Sequence, residues 1–232
     1  LNVLIKKIVM RKTFILTLFM MFCSITFGQN AAKIGETEYA TLKLAISNAK
    51  PGQTITFLRD IKENVTSDYT DFEENITIDG AGHTLNGYLQ PALGPLTIKN
   101  LTFDGTGIGS KYFIEITSST DVGTLTVEDC TAKNGQGLAQ LMTSINTTVR
   151  NVTVENSVTH GVKINYGILL LENVHFDAMA ALACHRGGAD KTVTIKNSYL
   201  YSVSAMGSGS TKRTYIFEGD NTVDRWDVHP EG

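Results

Sequence analysis

Seven short stretches of this 232-residue chain repeat one pattern, at 76–80, 96–100, 125–129, 147–151, 169–173, 193–197 and 215–219. In each, apolar residues alternate with polar ones, and the stretch closes on Asn, Asp or Gly. The closing residues Gly80, Asn100, Asp129, Asn151, Asn173, Asn197 and Gly219 lie 20, 29, 22, 22, 24 and 22 positions apart. A repeat of about 20 to 30 residues carrying short strands specifies a solenoid, whose turns bury their apolar side only by stacking on one another. The array counts about eight coils over residues 54–219.

The residue before each closing position fixes the register. That column reads Asp79, Lys99, Glu128, Arg150, Glu172, Lys196 and Glu218, with the sign of charge alternating at every step. Parallel stacking sets these side chains about 4.8 Å apart, where opposite charges help and like charges repel. Two apolar columns point the other way: Ile78, Ile98, Val127, Val149, Leu171, Ile195, Phe217, and Ile76, Leu96, Leu125, Thr147, Leu169, Val193, Tyr215. β-branched and aromatic side chains of this kind suit a stacked parallel core. Asn at the closing position suits a sharp bend, since it tolerates left-handed backbone. Another buried column is expected after it: Phe103, Ala132, Val154, Phe176 and Leu200.

Strand, Asn bend, strand, looser turn and a Gly-led third strand such as Gly161-Val162-Lys163-Ile164 resemble the right-handed parallel β-helix of the pectin-lyase-like superfamily, in a bacterial secreted form. Residues 39–52 are similar to that family's capping helix. Thr41 serves as N-cap, Leu42, Ala45, Ile46 and Ala49 make one apolar face, and Pro51-Gly52 stops it. The Tyr-x-Thr-Leu-x-x-Ala-Ile opening is closest to the cap of chondroitinase B-like and alginate lyases. The resemblance covers roughly residues 33–219 and implies a fold more firmly than a function, since the fold carries lyases, hydrolases, adhesins and stalks.

Residues 1–28 read as a secretory signal: Lys6, Lys7, Arg11 and Lys12, then an apolar run from Thr13 to Phe22, then a small-residue site before Gln29, with Met10 a natural start. The run is shorter than the about 20 residues of a membrane span, so no transmembrane segment is expected. Residues 29–53 read as the cap and 220–232 as a C-terminal tail that suggests a longer chain. Without the leader, 20 − 4 = 16 basic residues face 23 acidic ones, a net of −7. That balance disfavours nucleic acid as partner. Of the remaining cysteines, Cys130 aligns with Leu101, Val152 and Val174 as a packed apolar residue, and Cys184 lies too far along its coil to pair with it.

Candidate chemistry sits on the outward columns. The third strand offers Glu115, Gln140 and Lys163, and counting from the bend sets His185 beside Lys163, with Arg186 next to it. A base and a cation near acidic groups are what β-elimination of a uronic acid requires. Lys163, His185 and Arg186 are therefore the catalytic candidates, although such residues also occur on any solvated polar face. Past the bend, Asp104, Lys133, Glu155, Asp177 and Tyr201 form one outward column and Thr102, Thr131, Thr153, His175 and Tyr199 another. Glu155 beside Asp177 is a candidate Ca²⁺ pair, and Tyr199 and Tyr201 are candidate sugar contacts. Closely spaced aspartates, Gly-His-Gly and Arg-Ile-Lys elements of polygalacturonases are missing, and His160, in Thr159-His160-Gly161, reads as a turn residue. The sequence thus points to a secreted or cell-surface β-helix that binds polysaccharide. A polysaccharide lyase and an inert or adhesive stalk are the alternatives. The glycan and the oligomeric state are left open.

Overall fold

A computed structural model describes residues 29–66, 75–91, 95–116, 123–143, 145–185, 190–206 and 211–227. Residues 1–28, where a secretory leader is expected, and Arg186 lie outside these segments. The fold is a parallel β-solenoid. In its first sheet the strands Thr54–Phe57, Ile76–Asp79, Leu96–Lys99, Thr124–Glu128, Asn146–Arg150, Gly167–Glu172, Lys191–Lys196 and Arg213–Glu218 stack in sequence order. It makes about six turns, slightly fewer than the eight expected. Strands Ile61–Lys62 and Val65–Thr66 of the first rung hold two residues each.

Register follows the charge column throughout. Asp79 pairs with Lys99, Lys99 with Glu128, Glu128 with Arg150, Arg150 with Glu172, Glu172 with Lys196 and Lys196 with Glu218. Ion pairs close at 3.7 Å for Lys99–Asp79, 2.8 Å for Arg150–Glu172 and 3.1 Å for Lys196–Glu172. Hydrogen bonds from Arg150 and Lys196 hold the Glu172 carboxyl below its ordinary pKa. A lowered carboxylate pKa contributes stability that is present above the unfolded value and lost as pH falls through the folded one. Glu172→Lys is expected to lower Tm more than Glu218→Lys, which breaks a column at its end. Most of the difference should vanish in 1 M salt, as thermal melts would record.

Behind that column the core is continuous. Ile78, Ile98, Val127, Val149, Leu171 and Ile195 are all fully buried, but Phe217 is 42% exposed because it lies on the final described rung. The bend is as expected: Asn100, Asp129, Asn151, Asn173 and Asn197 all have φ between 48° and 54°. Their side chains bridge rungs, with Asn100 donating to Asp79 at 3.1 Å, Asn151 to Asp129 at 2.9 Å and Asn173 to Asn151 at 3.2 Å. Phe103, Ala132, Val154, Phe176 and Leu200 then register in one buried line.

Glycines at the start of the third strand leave room for the neighbouring rungs. A Cβ on Gly135 would lie 2.5 Å from the Phe113 ring, and one on Gly137 would meet the His160 carbonyl oxygen at 2.5 Å and the Tyr112 ring at 2.9 Å. Each aromatic thus fills space on the next rung.

The N-terminal end is closed by the helix Leu42–Asn48. Its Thr41 cap accepts from Leu44 N at 3.1 Å, and Leu42, Ala45, Ile46 and Ala49 are buried. Glu63 of the first rung accepts from the Leu42 and Lys43 amides at 2.9 and 3.1 Å, fastening plug to coil. An antiparallel hairpin of Ala32–Ile34 and Thr37–Tyr39 pairs with Thr54–Phe57 and covers the sheet edge. At the other end, part of the expected tail is a strand: Thr222–Asp227 pairs in parallel with Tyr199–Met206. Cys130 and Cys184 are buried free thiols. No helix among the described residues is long and apolar enough to cross a membrane.

Candidate functional site

Alternation along the third strand decides which side chains face out. In Tyr112–Ile116, Gly137–Leu141 and the end of Thr153–Ile164, the neighbours Ile114, Ile116, Ala139, Leu141, Val162 and Ile164 are buried. Glu115, Gln140 and Lys163 between them point outward and register directly, Glu115 on Gln140 and Gln140 on Lys163. Gln90 extends the line by donating to Glu115 at 2.6 Å. Lys111 approaches the same carboxylate at 3.8 Å and lies 5.3 Å from the Tyr88 ring centre, so an ammonium, a carboxylate, two carboxamides and an aromatic share one strip.

Beneath the strip lies a buried pair. Tyr112 and His160 stack with ring centres 5.6 Å apart, and the Tyr112 hydroxyl meets His160 Nδ1 at 2.5 Å. Burial and then Lys163 push His160 down to about 4, whereas burial pushes Tyr112 up to about 12. Tyr112 is therefore the donor and neutral His160 the acceptor at pH 7. His160 is a strand residue, not the turn residue expected, and Gly137 lets Tyr112 reach it.

His185 does not sit beside Lys163. The rung neighbour of Lys163 is Ala183, and His185 registers with Met206. Two irregularities in the strand Thr153–Ile164, between Val154 and Ser157 and between Ser157 and His160, each add a residue against the next rung. Counting from the bend misses them, and the error is two positions, which keeps His185 on the outward face. Burial and the charges of Lys163 and Lys191 hold His185 below its ordinary pKa.

The same irregularity disturbs the Ca²⁺ pair. Val154 registers with Phe176 and Ser157 with Ala178, so both Glu155 and Asn156 stand opposite Asp177. Glu155 and Asp177 are exposed. Among the described residues no group of three or more His, Cys, Asp and Glu side chains could hold a metal ion.

Further along that face Thr102, Thr131, Thr153, His175 and Tyr199 register in order. His175 and Tyr199 stack face to face at 4.5 Å, and the Tyr199 hydroxyl donates to Asp224 at 2.7 Å. That bond, with neighbouring acids, pushes Tyr199 up to about 12. His175 therefore covers one face of the Tyr199 ring, while Tyr201 is 38% exposed.

Tyr88, Gln90, Lys111 and Asp224 were not among the residues expected at the site. Gln90 follows an apolar Leu89 just as Gln140 follows Ala139, and that alternation could have found it. Lys111 and Asp224 come from outside the repeated pattern and carry no periodic signal. No family model matches the chain, and neither a curated protein nor a solved structure does.

Proposed function

We propose that this chain is a secreted or cell-surface member of the pectin-lyase-like superfamily that binds a polysaccharide along the strip of Gln90, Glu115, Gln140 and Lys163. One observation carries the reading: hydrogen-bonding side chains in parallel register recur rung by rung, beside Lys111 and Tyr88. An array repeating about every 4.8 Å along a line suits a ligand that is itself a linear repeat. Donors and acceptors that are already oriented lose little entropy on binding. The acidic balance of the chain, and a leader-like segment at residues 1–28, support a glycan over nucleic acid and an extracellular setting over a cytosolic one.

Affinity electrophoresis through gels containing pectate, alginate or chondroitin tests this. Retardation by at least one polymer is expected, and Gln140→Ala and Lys163→Ala should each weaken it about tenfold, near 1.4 kcal/mol, with Tm unchanged. Retardation that survives both changes would move the site to the Tyr201 face. No retardation by any glycan would favour a stalk.

A lyase activity is the second reading, and it draws on Lys163 acting electrostatically on His185. A neutral histidine is a base able to take the proton beside a uronate carboxylate, and Lys163 a cation to neutralise that carboxylate. Unsaturated product, followed by its ultraviolet absorbance and abolished by His185→Ala, is the outcome that would establish it.

A further inference from the structure

We propose that the outer corner formed by Ala81, Gly82, Asn100 and Asp129 binds one residue of a neutral glycan, through sugar hydroxyls donated to the Asp129 carboxylate. Two departures from the repeat coincide there. The bend column holds Asn at 100, 151, 173 and 197 but Asp at 129, with φ between 48° and 54° throughout. The ladder does not require a carboxylate at that position. Asn173 donates to Asn151 just as Asn151 donates to Asp129 Oδ1. The other departure lies on an earlier rung. Asp79 registers with Lys99 and Thr84 with Thr102, yet four positions separate Gly80 from Thr84 where two separate Asn100 from Thr102. The extra residues make a projecting turn in which Ala81 and Gly82 have φ of 50° and 83°. That turn is pinned: Asp79 Oδ1 accepts from the Ala81 amide and the Asn100 carbonyl from the Gly82 amide, both at 2.9 Å.

Turn and bend together form a recess of about 380 Å³, lined further by Leu101, Thr102 and Thr131. Its size falls in the range of small-ligand sites. Leu101, 2% exposed, closes the floor. Asn151 engages Asp129 Oδ1, and Asp79 engages the Asn100 amide nitrogen. Asp129 Oδ2, Asn100 Oδ1 and the Thr102 and Thr131 hydroxyls are left without a partner among the described residues. Acceptors therefore outnumber donors, and no lining residue is cationic. A sugar ring supplies the missing donors on adjacent carbons, and hydrogen bonds to a carboxylate are the strong kind. A phosphate or a uronate would meet Asp129 with no counter-charge. Ca²⁺ takes about six to eight oxygen ligands, and the recess offers a single carboxylate. The corner lies at the bend, not on the third strand, so it does not rest on the strip of Gln90, Glu115, Gln140 and Lys163.

The test is titration of the full chain with the methyl glycosides of glucose, galactose and mannose, followed through its amide NMR shifts. At least one glycoside should shift Gly82, Leu101 and Thr131 saturably. Asp129→Asn restores the bend residue of the other rungs and keeps an oxygen for Asn151, so it turns an amide donor into the recess where an acceptor stood. It should weaken binding about tenfold with Tm unchanged. Thr131→Val should weaken binding less. Polymer retardation without glycoside binding would overturn the corner alone, and glycoside binding without retardation would leave the corner standing and the strip reading refuted. No saturable shift with any of the three, shifts confined to Gln140 and Lys163, or unchanged affinity in Asp129→Asn would overturn the proposal. Tighter binding of methyl glucuronide than of every neutral glycoside would do the same.

Discussion

Taking the protein from pH 7 to pH 4 is expected to remove about 3 kcal/mol of stability through His160 alone. Its ring is 7% exposed, stacked on Tyr112, and accepts the Tyr112 hydroxyl. Burial lowers its pKa from 6.5 to about 4. Between those two values the unfolded chain carries a proton on His160 that the native chain does not. Native stability therefore falls as pH drops through 6.5 and levels off near 4, where the native state also takes the proton. Glu172, whose native pKa is lowered, adds its loss only as pH falls below its unfolded value of 4.5, so the two contributions are separable above that pH. Urea unfolding at half-unit steps from pH 8 to 4 would measure the slope. Tyr112→Phe with His160→Phe keeps the two stacked rings, leaves no orphaned hydroxyl and should flatten the slope above pH 4.5. An unchanged slope in the double variant would show that some other group is responsible.

The second large effect is Gly135→Ala, expected to cost about 1–3 kcal/mol by overpacking. Its Cβ would lie 2.5 and 2.7 Å from Phe113 ring atoms, and the ring cannot retreat because it stacks on Phe103 with centres 5.2 Å apart. The nearest atoms met at Gly135 all belong to the Phe113 ring, so the conflict is between two named residues. Phe113→Leu should therefore lose less in the Gly135→Ala background than in the wild type. A double-mutant cycle by denaturant unfolding should give a coupling of about 1 kcal/mol. Strict additivity would mean that Gly135 is required for its backbone rather than for the space it leaves.

The first sheet was legible because Asp79, Lys99, Glu128, Arg150, Glu172, Lys196 and Glu218 alternate in sign at a spacing only parallel stacking explains. The Asn bend and the cap helix were legible from residues whose backbone preferences are strong. The arc after the bend was not. The extra residues within 154–160 leave no compositional trace, since Glu155-Asn156-Ser157 reads like any polar strand, and so His185 was set two positions from its true neighbour. The hairpin at 32–39 was hidden by its brevity. Asp224, Arg225 and Asp227 made 222–227 look like a tail, although Val223 and Trp226 register with the buried Leu200 and Val203. Lys191 was missed because a charged residue in an inward column contradicts the pattern used to find the column. Tyr112 and His160 were missed as a pair because they lie two rungs apart on one column and touch only across Gly137, whose missing side chain lets the rings meet.

Parallel stacking of successive rungs underlies the strip and the buried pair alike. Thr126 and Thr148 are outward-facing neighbours on successive rungs, and Thr97 is one rung further from Thr148. Adjacent rungs place Cα atoms about 4.8 Å apart, inside the range a disulfide spans, and two rungs place them about 9.6 Å apart, outside it. Under mild oxidation Thr126→Cys with Thr148→Cys should crosslink within one chain, detected by mass spectrometry of the digest, while Thr97→Cys with Thr148→Cys should not. Crosslinking of the second pair but not the first would contradict the register and everything placed by it.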